Sequence, residues 1–309
     1  MTGLCMIDIA ERLHGEGQQT ETEDIRFSYS RPEQRALNRA VIRLIERLSG
    51  QKKLERLYRT WSAAPRPHEN IFTAGLRLLG ITVETDEIAW ARVPAEGPVL
   101  FIANHPFGVV DGLMMGHLTT RIRPDTKIMT HSLLCQPPEA RDYLLPVDFG
   151  GTPEAQATSL LTRRRTIDWL KSGHAVAVFP AGSVSTAQSP FTGPALDCAW
   201  HPFVAKLARI PGVTIVPVYF HGQNSRLFQI MSHTHYALRI ALLFRETARR
   251  ARTVMKVSVG SPITSDDLND AANRDDLLRE LRRRTLSLGG SAAPNPDQAF
   301  TWPRHINWD

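Results

Sequence analysis

Three stretches of this chain are apolar almost without interruption and then stop on proline, glycine or histidine. They are "PVLFIAN" (98–104), "HAVAVFPAG" (174–182) and "VTIVPVYFHG" (213–222). A half-exposed strand alternates apolar with polar residues. Runs without that alternation mark strands covered on both faces, the pattern of a parallel sheet between helices. Helical patterns separate them: "VVDGLMMGHLTTRI" (109–122), "AQATSLLTRRRTIDWLKSG" (155–173) and "WHPFVAKLARIPG" (200–212). Further strands are expected at "ITVET" (81–85), "TKIMTH" (126–131) and "TVMKVSVGSPI" (253–263). "NIFTAGLRLLG" (70–80) reads as a helix stopped by glycine. Residues 265–288 read as another, with acidic residues early and arginines late, as the helix dipole favours. The expected class is α/β, with a central, mostly parallel sheet flanked by helices and an N-terminal amphipathic helical pair.

Residues 1–30 are polar and read as a flexible segment. Residues 31–65 form a basic amphipathic region. Leu37, Val41, Leu44, Ile45 and Leu48 share one helical face, and Arg35, Arg39, Arg43 and Arg47 recur at every fourth position beside it. A second helix, 52–61, continues the basic and aromatic theme. Such a pair either lies on an anionic bilayer or packs on its own domain with a solvated arginine face. From residue 289 the tail reads as irregular. The net charge of +6 suits an anionic partner. Cys5, Cys135 and Cys198 are too few and too far apart for a disulfide framework or a CxxC site. No secretory leader and no run of ~20 apolar residues is evident, so a soluble or peripheral protein is expected.

Reactive groups in open α/β sheets gather where strands end and helices begin. His105 stands at such a point, in "NHPFGVVDG", and Asp111 follows near the start of the next helix. A carboxylate there can hold one imidazole nitrogen while the other takes a proton. The bland alternative is a loop histidine with an aspartate that only caps a helix. The second strand end, "VAVFPAGSVS", offers backbone N–H groups to an anion or a carbonyl oxygen. The third, "IVPVYFHGQNS", carries Pro217, His221 and Asn224.

These three ends, in this order, resemble the glycerolipid acyltransferase superfamily, with its His-x4-Asp, Phe-Pro-Glu-Gly and Val-Pro motifs. The bacterial branch called putative hemolysin, which includes lyso-ornithine lipid acyltransferases, is more similar still. "NHPFGVVDG", "LPVDFGG" (145–151), "FPAGS", "GQNSRLF" (222–228) and "LRIALLFRE" (238–246) carry that resemblance. It implies an acyltransferase domain over 66–288. It also implies transfer of a fatty acyl group from acyl-CoA or acyl carrier protein to a lyso-lipid hydroxyl, either a lyso-ornithine lipid or a lysophospholipid. His105 would be the general base and Asp111 its orienting partner. Asn104, Pro106, Phe107, Gly108, Phe179, Pro180, Gly182, Ser183, Pro217 and Asn224 would line the substrate site. No metal and no cofactor beyond the acyl donor is required, and Cys135 and Cys198 are expected to be structural. The place of work would be the inner face of the cytoplasmic membrane, on an anionic surface.

The chain departs from the superfamily pattern in three ways. Five residues, not four, separate His105 from Asp111, a spacing the closer branch shares. Ala181 stands where the superfamily has glutamate, and Ser183 where the branch has its acid. The arginine that binds glycerol phosphate has no counterpart in "VDFGGT", which disfavours lysophosphatidic acid and favours an amino-acid lipid. The missing acid motivates an alternative, a catalytically impaired lipid- or acyl-binding protein of the same fold.

Several smaller features carry less. Arg163, Arg164 and Arg165 point three ways on a helix. Arg245, Arg249, Arg250 and Arg252 form a basic cluster that meets headgroups or coenzyme A phosphates, or is solvated. His233 and His235 lack a third metal ligand, and His117 and His131 read as core or surface histidines. Nucleic acid is not an expected partner, since aromatics make up 7% and no recognition motif occurs.

Overall fold

The structure, a computed structural model, describes residues 50–148, 152–268, 271, 273–303, 305 and 306. The first basic helix, with its four arginines, the 1–30 segment and Phe149 to Gly151 lie outside the described residues. The chain then runs α1 (Gln51–Ala63), α2 (Ile71–Leu79), β1 (Thr82–Glu84), α3 (Glu87–Trp90), β2 (Val99–Ala103), α4 (Val109–Ile122) and β3 (Lys127–His131). Two short 3₁₀ turns lead to β4 (Leu144–Val147), α5 (Pro153–Lys171) and β5 (Ala175–Val178). A small hairpin, β6 (Thr186–Ala187) and β7 (Ala195–Leu196), precedes α6 (Pro202–Ala208) and β8 (Thr214–Phe220). The order ends with α7 (Arg226–Ser232), α8 (Tyr236–Arg249), β9 (Val254–Val259) and α9 (Arg274–Ser287).

The seven-stranded sheet has the order β1-β9-β8-β2-β5-β3-β4. The five strands from β8 to β4 are mutually parallel, while β9 runs antiparallel to β8 and carries β1 parallel to itself. The apolar runs are the three central strands, and β2 is buried at every position. Its residues alternate between two cores. Phe101 and Ala103 meet α2 and α4 on one face, whereas Leu100 and Ile102 meet α5, α6 and α9 on the other. Register sets the working edge. Ile102 pairs with Val178 on one side and Pro217 on the other, so β2, β5 and β8 end side by side. His105, Phe179 and His221 therefore leave the sheet at one edge.

The second basic helix appears as α1, and it packs on its own domain. Tyr58 and Ser62 donate to Glu139 at 2.8 and 2.6 Å, while Lys52, Lys53, Arg56 and Arg59 stay exposed. The tail is irregular but attached: the Phe300 amide donates to the Asp197 carbonyl at 2.9 Å, and Phe300 and Ile306 are buried. Six elements, α3, β4, β6, β7, α7 and α8, have no counterpart in the sequence reading. β4 is a short edge strand interrupted by Pro146, a position where proline is tolerated. The β6–β7 strands have two residues each, and the residues of α7 and α8 carry motif resemblance but no clean period. No helix among the described residues is long and apolar enough to cross a membrane.

Candidate active site

Asn104 fixes the end of β2. Its amide works as a peptide would, accepting from the Phe220 N–H at 2.8 Å and donating to the Phe220 carbonyl at 3.0 Å. The chain then turns through His105, Pro106 and Phe107 to Gly108, whose φ of +81° is a conformation open to glycine. A Cβ at Gly108 would also press on Leu243 and Val184, at 3.1 and 3.2 Å. Helix α4 starts at the next residue.

Asp111, in the first turn of α4, is fully buried. Its Oδ2 accepts from the Phe107 amide at 2.7 Å, the Gly108 amide at 2.9 Å and His105 Nδ1 at 3.0 Å. One oxygen thus both caps the helix and orients the imidazole. The two roles set against each other in the sequence coincide in the same atom. Three N–H donors require an acceptor oxygen, which places the proton on Nδ1 and leaves Nε2 as the basic nitrogen. Burial pushes the Asp111 pKa up, and the His105 bond and the two amides pull against that rise. Phe179 stacks on the imidazole, with ring centroids 4.2 Å apart and planes 29° from parallel. The His105 side chain keeps 17% exposure, enough to meet a substrate.

The turn after β5 closes with the Gly182 amide on the Phe179 carbonyl at 2.9 Å, and Gly182 has φ +66°. The Ser185 amide donates to the His105 carbonyl at 2.8 Å, tying the two strand ends together. Of the backbone N–H groups expected to face a carbonyl oxygen, those of Gly182 and Ser185 are therefore spent internally. Ser183 Oγ lies 3.2 Å from Cys198 Sγ. The Pro180 carbonyl accepts from the His201 amide at 2.9 Å, which anchors α6 to the turn.

Other expected site residues are placed differently. Pro217 is inside β8, opposite Ile102, and its carbonyl accepts from Gly260 at 2.8 Å, so it shapes the sheet. Phe107 is core, with its ring beneath the Arg250 guanidinium at 4.4 Å. Asn224 is buried, with both side-chain polar atoms lacking a partner among the described residues. Within the basic cluster, Arg250 donates to the Gln223 carbonyl at 2.6 Å and Arg245 meets Glu246 at 3.2 Å, while Arg249 is exposed. Arg164 and Arg165 are exposed on α5. His233 Nε2 is 2.8 Å from the Ala187 carbonyl. Burial raises the Cys135 pKa to about 11, which suits an inert thiol.

Two residues at the site escaped the sequence reading. Asp197 is buried, and its Oδ1 accepts from Ser185 Oγ at 2.5 Å and from the His105 amide at 3.3 Å. Arg239 is buried without a carboxylate partner among the described residues. It donates to the Val184 carbonyl, Thr186 Oγ1 and Ser232 Oγ, and lies between the Phe228 and Trp302 rings. The available signal was a lone charge inside an apolar run, "ALDCAW" and "YALRIALLF".

A family profile described as "Acyltransferase" matches residues 30–292. The chain belongs to this acyltransferase family. It is similar to the lyso-glycine lipid O-acyltransferase of Phocaeicola vulgatus, 24% identical over 180 residues, covering 56% of this chain and 61% of that protein. It is also similar to the lyso-glycine lipid O-acyltransferase of Bacteroides thetaiotaomicron, 26% identical over 180 residues, with 56% and 63% covered. The chain thus spans about three-fifths of the length of the curated relatives it matches. Among solved structures it is similar to the 1-acyl-sn-glycerophosphate acyltransferase PlsC of Thermotoga maritima. The TM-score is 0.45 and the identity 13%, with 83% of this chain and 82% of that one covered.

Proposed function

We propose that the protein transfers a fatty acyl group from a thioester, on coenzyme A or acyl carrier protein, to the hydroxyl of an amino-acid lyso-lipid. The observation that carries this reading is Asp111 Oδ2, which holds His105 Nδ1 at 3.0 Å and leaves Nε2 free at an open edge of the sheet. Nε2 takes the acceptor hydroxyl proton as the oxygen attacks the thioester carbonyl carbon. The tetrahedral intermediate collapses, the C–S bond breaks, and the imidazolium returns its proton to the leaving thiolate. Asp111 stabilises the imidazolium while it exists. In this reading the amides of Ala181 and Ser183, in the turn beside the imidazole, receive the oxyanion.

The acceptor reading rests on the names of the curated relatives and on the absence of a phosphate-binding arginine from the "VDFGGT" segment. Asp197 weighs against the impaired-enzyme reading. That residue brings a buried carboxyl group to the same turn that lacks an acid in its own sequence. The exposed lysines and arginines of α1 and α5 support peripheral attachment to the anionic inner face of the cytoplasmic membrane.

The test is a panel of acceptors with a radiolabelled acyl thioester and the full chain. Label should enter a lyso-glycine or lyso-ornithine lipid, and a deletion strain should accumulate the matching lyso-lipid. Transfer to lysophosphatidate alone would refute the acceptor, and transfer to none would refute the enzyme.

A further inference from the structure

A cavity of about 150 Å³ lies against the turn that carries His105, on the β8 side. Asn104 and Pro106 form its wall toward the catalytic turn, and Asp197, Tyr219, His221 and Gln223 give it its polar character. Its volume is that of a cavity able to hold roughly half a dozen heavy atoms. None of the described residues lining it is a lysine or arginine.

Tyr219 is its most informative residue. The side chain is 4% exposed, yet its hydroxyl has no hydrogen-bond partner among the described residues. The residue is buried as a whole, but its hydroxyl reaches the cavity, where a ligand can take its hydrogen bond in place of water. The ring is firmly placed. A Cβ at Gly289 would come within 2.6 Å of it, so only glycine lets the backbone pass, and His221 meets it edge-on at 4.8 Å. Burial, and after it the charge of Asp197, raise the Tyr219 pKa, which keeps the hydroxyl a donor and sets it near that carboxyl group. Among the described residues Asp197 Oδ2 receives only the long 3.3 Å bond from Trp200 Nε1 and can accept another. Gln223 spends its oxygen on the Ala195 amide at 2.8 Å, which leaves its NH₂ group to donate. Burial lowers the His221 pKa, so its ring is neutral near pH 7.

A cavity with a carboxyl acceptor and neutral donors, and no cation in its wall, is matched to a group that donates N–H and accepts at a carbonyl. A phosphate has no N–H to give the Asp197 carboxyl group, and the nearby Arg282 guanidinium is turned to the Asp197 and Cys198 carbonyls and does not line the cavity. We infer that this cavity binds the nitrogen-bearing head of the acceptor lipid, with its N–H on Asp197 and its carbonyl on Tyr219 and Gln223. The inference rests on the acyl-transfer reading above and adds to it the subsite that selects the acceptor. Amide and ammonium heads share this chemistry.

Short-chain N-acylglycine, N-acylornithine and lysophosphatidate, titrated calorimetrically into the full chain, test the site. Tyr219→Phe removes one hydroxyl, and Ala292→Phe, at the exposed rim, fills the mouth without touching the core. N-acylglycine affinity should fall roughly three- to tenfold in Tyr219→Phe, the worth of one hydrogen bond. It should fall further in Ala292→Phe, while both variants keep the wild-type melting temperature. Tighter binding of N-acylornithine than N-acylglycine would identify an ammonium in the cavity, and equal binding the amide. Absence of N-acylglycine binding, equal binding by all three proteins, or a preference for lysophosphatidate would overturn the site. Turnover of an amino-acid lyso-lipid that neither variant alters would overturn the subsite alone. Variant-sensitive binding without turnover would overturn the transfer reading and leave the subsite standing.

Discussion

His105 Nδ1 and Asp111 Oδ2 are 3.0 Å apart, and that same oxygen accepts the amides of Phe107 and Gly108. The turn, the helix start and the imidazole are therefore held by one atom. Five intervening residues, rather than four, are accommodated because Gly108 takes a positive φ before α4 begins. Asp111→Ala should cost about 1 kcal/mol or more through the lost cap, with a far larger fractional loss of kcat. Parallel thermal melts and transferase assays separate the two effects. A fall in kcat no greater than the fall in folded fraction would deny the orienting role.

The pH dependence of stability has a definite sign at Asp111. Burial holds its folded pKa above the ordinary carboxylate value near 3.9. Such a group contributes stability that is fully present below the unfolded pKa and lost as pH rises through the folded pKa. The stability advantage of wild type over Asp111→Asn should thus be larger at pH 4 than at pH 8. Denaturant titrations at the two pH values measure it. An advantage that grows with pH would mean that the His105 ion pair outweighs burial.

Asn104 binds both backbone groups of Phe220 across the sheet. Asn104→Ala leaves a buried N–H and a buried carbonyl without partners, at a cost of about 1–3 kcal/mol for each. Asn104→Asp keeps an acceptor for the amide but turns a like dipole on the carbonyl, so it should rescue less than half. Chemical denaturation reports both.

Arg239 holds the loop after "FPAGS" through Val184 and Thr186. Arg239→Leu should destabilise the protein by about 3 kcal/mol, since it strands those acceptors in the interior. Arg239→Lys should recover only part, because an ammonium lacks the planar fork that spans three partners. Full recovery by lysine would show that charge alone matters there.

How much of this was legible in the sequence follows from the physics of each feature. The three unalternating runs were readable because burial on both faces leaves a one-dimensional trace, and they are the three central strands. The His105–Asp111 pair was readable because its partners are close in sequence. Asp197 was not, as it lies 92 positions from the His105 amide that it accepts, and only the fold brings them together. Pro217 was assigned to a strand end, whereas its proline ring is accommodated inside β8, where Gly260 takes its carbonyl. The β6–β7 hairpin is too short to leave a period.

Transfer of a labelled acyl group to an amino-acid lyso-lipid by His105→Ala, compared with wild type at saturating substrates, tests the central claim most directly. Loss of the general base should lower kcat by about 10²- to 10⁴-fold with the fold intact. A folded His105→Ala protein that turns over at the wild-type rate would contradict the account.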